Sequence, residues 1–83
     1  MMLPRDMSGD ELVRLLHRHY AYRVVRQRGS HIRLVTYIKG SEHHVSIPRH
    51  SQLKVGTLHV ILSRVAAYLE ISQSELRKQL FGS

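Results

Sequence analysis

The run Arg26-Gln27-Arg28-Gly29-Ser30-His31 brings together residue types that could cut a phosphodiester bond. Histidine is the side chain whose ordinary pKa lies near neutral pH, and two arginines flank it on the chain. RNA carries its own nucleophile, the 2′-hydroxyl. Its cleavage requires a base that titrates near neutrality, positive charge at the phosphate and correct orientation, and it requires no metal. The same six residues also have a purely structural reading. Gly-Ser is a common hairpin connection, arginines on strands usually face water, and a histidine after a turn is often an ordinary surface residue. The elements that hold the run decide between the two.

Those elements belong to a basic chain. Thirteen Lys and Arg stand against 6 Asp and Glu, a formal charge of +7, and seven histidines add conditional charge. A polyanionic partner is expected, with nucleic acid leading and an anionic membrane surface or an acidic protein also satisfying the charge. A helix lying on a membrane gathers its basic residues along one polar face; here they are spread over strands and loops as well as helices. With no cysteine, disulfides, thiolate metal sites and thiol nucleophiles are excluded. The 83 residues are expected to form one domain over 1–83, too small for a deep enclosed pocket. No stretch has signal-peptide or membrane-spanning character, so the cytoplasm is the default location, and residues 1–7 read as a flexible extension.

The hydropathy pattern changes period along the chain. Ser8-Gly9-Asp10-Glu11 has capping-box spacing and predicts a helix from about Gly9 to near His19, with Leu12, Leu15 and Leu16 on its apolar side. Tyr22 to Gln27 and His31 to Ile38 read as strands joined by Gly29-Ser30. In the second strand Ile32, Leu34, Thr36 and Ile38 form the expected core face. His31, Arg33, Val35 and Tyr37 share the other. His43 to Ile47 is a third short strand ended by Pro48. Leu58, Ile61, Leu62, Val65, Ala66 and Leu69 predict a second helix, with Thr57 as N-cap after Gly56. Ser74 to Phe81 makes a last short helix. The expected fold is therefore α+β, α-β-β-β-α with an extra C-terminal helix, the helices on one face of a three-stranded antiparallel sheet. The opposite face, carrying His31, is left open.

In that order, Ser8 to Leu16, Val25 to His31, Val45-Ser46-Ile47-Pro48-Arg49-His50, Leu53-Lys54-Val55-Gly56-Thr57-Leu58 and Ile61-Leu62 resemble the HicA family of toxins, which are mRNA interferases. The resemblance runs from about Ser8 to Leu80. It implies a fold like that of double-stranded-RNA-binding domains, RNA cleavage without a cofactor, and inhibition by a HicB-type antitoxin. The family's histidine follows a Gly-Ser or Gly-Gly pair, which here makes it His31. Val55 departs from the usual Lys-Gly element, and the N-terminus extends beyond the usual start; neither touches the chemistry.

His31 is accordingly the candidate catalytic base. Arg26, Arg28 and Arg33, with the backbone amides of Gly29 and Ser30, are the candidate RNA-binding groups. Lys54 joins them at the start of helix two, where free amides and the helix dipole favour phosphate. The proton for the leaving oxygen has several possible sources: His50, best placed by sequence, His43, His44 or water. No metal site is expected, since His17 and His19, or His43 and His44, lack three-ligand spacing. Two other readings remain: a non-catalytic RNA-binding module gripping duplex RNA through phosphates and 2′-hydroxyls, and a module that docks an acidic protein. The basic cluster around His31, rather than at the start of helix two, favours a local phosphodiester site. An antitoxin would be expected to cover the His31 face.

Overall fold

The computed structural model describes residue 4 and residues 6–82. In chain order they form α1 (Gly9–Tyr20), β1 (Arg23–Arg28), β2 (His31–Thr36), β3 (His43–Pro48), α2 (Val55–Leu69) and α3 (Gln73–Phe81). The strands make one antiparallel meander in the order β1-β2-β3. This is the expected α+β order, and its 32 × 32 × 19 Å extents are those of a two-layer slab.

Each helix starts where its local chemistry allows. The Ser8 hydroxyl accepts from the Glu11 amide at 3.1 Å while the Glu11 carboxylate accepts from the Ser8 amide at 3.0 Å, completing the capping box. At the far end of α1, Ala21 turns left-handed with φ 59°. The Tyr22 amide reaches back to the Leu16 carbonyl at 3.3 Å, closing the helix and dropping the fully buried Tyr22 ring into the core. Ser72 caps α3 by accepting from the Glu75 amide at 3.0 Å.

Leu12 and Leu16 of α1, Leu58, Leu62 and Val65 of α2, and Leu76 of α3 pack with Ile32, Leu34, Val45 and Ile47 of the sheet. Helices α1 and α2 thus bury their apolar sides against one sheet face, and α3 packs on α1 and α2. The chain N-terminal to α1 is stitched to the segment after β3: the Leu53 amide donates to the Met7 carbonyl at 2.8 Å, and the Gly9 amide to the His50 carbonyl at 2.9 Å. Met7 is itself buried. The extension expected to be flexible over 1–7 otherwise falls largely on residues outside those described.

Three local expectations need correction. Helix α2 begins at Val55 with Lys54 in the N-cap position, not at Thr57, and no side chain caps it. The tie between Leu53 and Met7 ends the preceding extended segment, so the helix starts there and Gly56 falls in its first turn. Strand β2 stops at Thr36, whose hydroxyl turns to the Tyr20 carbonyl at 2.7 Å; Ile38 lies beyond it, half exposed, and is not on the core face. Val35, on the open face, is nevertheless buried.

Candidate active site

The hairpin that carries His31 is set by two backbone features. Gly29 has φ 57° and is the first of the two residues linking the paired Arg28 and His31, the sign pattern of a type II′ turn. The Ser30 carbonyl accepts from the Arg49 amide at 2.5 Å, so the turn is tied to the end of β3. Arg49 in turn pairs with Asp10 of α1 at 3.2 Å. Pro48, the register partner of His31, is held from below by α1: a Cβ at Gly9 would lie 2.0 Å from the Pro48 carbonyl oxygen. Glycine is required there by contact, and the contact fixes the strand end beside His31.

A bulge sorts the arginines. Val24 pairs with Leu34, but the next pair is Arg26 with Arg33, which leaves Val25 as an extra residue. Strict alternation would put Arg23 on one face of β1 and Arg26 and Arg28 on the other. The extra residue reverses the phase, and all three join the open face, opposite Val35, Arg33 and His31 respectively. Side chains paired in this way stand about 4.5–5.5 Å apart at Cβ, and like charges so placed repel. No Asp or Glu occurs in any of the three strands. His31, Arg26, Arg28, Gly29, Ser30 and Arg33 are therefore exposed together on one cationic surface. Such a surface suits an anion with several charges.

Lys54 is exposed but stands apart from the sheet, lining a separate hollow with Gln52, Leu53 and Val55. What reaches His31 from α2 is a different set. A cleft of about 360 Å³ is lined by His31, Ser46 and Pro48 from the sheet and by Gly56, Thr57, Val60, Ile61 and Arg64 from α2. Thr57, Val60 and Arg64 recur at helical spacing beside the apolar stripe. That signal was present in the sequence, masked by reading only the stripe.

The remaining histidines have other work. His43 sits at the opposite end of β3 from Pro48, five residues or roughly 16 Å along the strand. There the Tyr22 hydroxyl and its Nδ1 share a hydrogen bond of 2.7 Å, and its ring stacks on Tyr68 with centroids 4.6 Å apart. Burial first, then the charge of His44, holds its pKa below the usual histidine range, while burial pushes that of Tyr22 up. His44, also at that end, pairs with Glu42 at 2.9 Å. His17 Nδ1 donates to the Tyr22 carbonyl at 2.8 Å. His43 and His44 are thus too far along the strand to serve a reaction at His31, whereas His50 follows Arg49 in the exposed loop just past β3. Among the described residues no three His, Cys, Asp or Glu side chains are grouped to hold a metal ion, and no helix is long and apolar enough to cross a membrane.

No curated protein and no solved structure matches the chain. Residues 9–66, from the first residue of α1 well into α2 and including the whole sheet, match the family described as the HicA toxin of bacterial toxin–antitoxin systems. With that match over more than half its length, the chain belongs to the HicA toxin family.

Proposed function

We propose that this toxin is a metal-independent endoribonuclease that cleaves mRNA with His31 as general base, arresting translation and growth in the cytoplasm. The His31 imidazole takes the proton of a 2′-hydroxyl. The 2′-oxygen then bonds to the adjacent phosphorus and the bond from phosphorus to the 5′-oxygen breaks. That oxygen leaves with a proton from His50 or water. The products are a 2′,3′-cyclic phosphate and a 5′-hydroxyl. Arg26, Arg28 and Arg33, with the Gly29 and Ser30 amides, hold the phosphate and its developing charge, and Lys54 holds the strand further along. A HicB-type antitoxin covers the His31 face and excludes RNA.

The observation that carries this reading is Arg26 directly opposite Arg33, beside His31, on a sheet without a carboxylate. Repulsion of that kind lowers stability, and a bound polyanion offsets it.

The test compares wild type with His31→Ala, both shown to be folded, in growth arrest and in cleavage of purified RNA with EDTA present. Wild type should cleave and leave cyclic phosphate ends, and the variant should be slower by about 10²–10⁴-fold. Equal cleavage by the variant would overturn the role of His31. Salt-sensitive RNA binding without cleavage by either protein would make the domain a binding module. Loss of activity on adding EDTA would mean that a metal takes part.

A further inference from the structure

We infer that the cleft between the sheet and α2 receives one unpaired nucleotide, its base against Pro48, Val60 and Ile61 and its phosphate between His31 and Arg64. The inference rests on the reading of the protein as an RNA-cleaving toxin and names the form of RNA that its site accepts.

The cleft has two chemistries side by side. Pro48, Val60 and Ile61 give it an apolar floor, and Val60 is 48% exposed although a large aliphatic side chain. Arg64, one turn further along α2, puts a guanidinium beside that floor, with the His31 imidazole across on β2. Among the described residues no carboxylate pairs with Arg64. A nucleotide has the same division: a base with apolar faces joined to a phosphate anion. The volume, about 360 Å³, lies within the range that holds a small organic ligand, about 300–1,000 Å³.

Geometry then selects the strandedness. A base in duplex RNA is stacked between neighbours and reaches a side cleft only if it is splayed out, which costs unstacking and unpairing; an unpaired base enters without that cost. Among the described residues no Phe, Tyr or Trp ring lines the cleft, and the one imidazole there, that of His31, is set towards the phosphate. The base is therefore held by apolar contact, not by stacking, and the charge contacts must supply much of the affinity. That combination suits a site with weak preference for base identity.

The probe is a short, uniformly 2′-O-methylated RNA strand, which lacks the internal nucleophile, bound to the full chain as a single strand or annealed to its complement. Single-stranded RNA should bind at least about tenfold more tightly than the duplex at the same salt concentration. Arg64→Gln and Val60→Asp, both at exposed positions, should each weaken single-strand binding about tenfold and leave the circular dichroism spectrum unchanged. Duplex binding as tight as single-strand binding overturns the inference, and so does unchanged affinity in both variants or an absence of binding. Cleavage of ordinary RNA is scored separately. If the expected binding losses occur but wild type never cleaves, the nuclease reading fails and the cleft stands. If cleavage depends on His31 while binding ignores Val60 and Arg64, the cleft fails and the nuclease reading stands.

Discussion

Seven histidines share this chain, and their surroundings divide them by task. His31 is exposed among arginines, while His43 is packed against Tyr68 and hydrogen-bonded to the Tyr22 hydroxyl. Protonating His43 would place a charge on its half-buried ring, next to His44. Its folded-state pKa is lowered from 6.5, chiefly by burial. The unfolded chain therefore binds a proton at higher pH than the folded one. The stability this group contributes is complete above about pH 6.5 and is lost as pH falls from there towards the lowered folded-state value. Thermal unfolding should show Tm falling over that window. His43→Gln, which offers Tyr22 a neutral acceptor, should flatten the fall, and an unchanged acid limb in the variant would mean that His43 is not its source. Adjacent residue types were legible here without their roles: His43 and His44 look alike in sequence, yet strand alternation sends one ring to Tyr22 and the other to Glu42 at the surface.

At the scale of elements, the strand end that presents His31 is only as well placed as its support, and the support is α1. The Gly9 amide bonds the His50 carbonyl, and the Gly9 Cα lies against the Pro48 carbonyl with no room for a methyl group. Gly9→Ala should push α1 away from the end of β3. An unfolding midpoint in urea should report a loss of about 1–3 kcal/mol, with cleavage reduced further than the unfolded fraction explains; a variant as stable as wild type would show that the helix shifts freely. Sequence periodicity reveals that α1 exists and begins at Gly9, because Ser8 and Glu11 are local signals. It does not reveal why residue 9 must be glycine, since the clashing group is 39 positions away. The bulge at Val25 is hidden for the same kind of reason: Val24-Val25 reads equally well in either phase, and only pairing with Leu34 and Arg33 selects one. Thr57 misleads as a cap because its residue type is favoured there, whereas the tie between Leu53 and Met7 starts α2 three residues earlier. Arg64 is missed because a helix is read first for its buried stripe.

For the molecule as a whole, the slab puts apolar packing below the sheet and, above it, strand arginines that have no carboxylate partner among the described residues, with the α2 cleft meeting that face at His31. A partner that neutralises the toxin by covering His31 must desolvate Arg26, Arg28 and Arg33, and that is tolerable only if it brings carboxylates to them. RNA phosphates and antitoxin carboxylates would then compete for the same guanidinium groups. Binding of single-stranded RNA through three to five cations should weaken with salt at a log–log slope of about −2 to −4. Arg33→Gln should reduce the magnitude of that slope by about 0.7–1. The antitoxin complex should respond in parallel, with slower association in salt and in Arg33→Gln, and purified antitoxin should displace labelled RNA one molecule for one. A ternary complex of toxin, antitoxin and RNA would refute a shared face. Arg33→Gln that weakens RNA but leaves antitoxin association and its salt dependence untouched would place the protein contact elsewhere, and inhibition would then have to reach His31 without covering it.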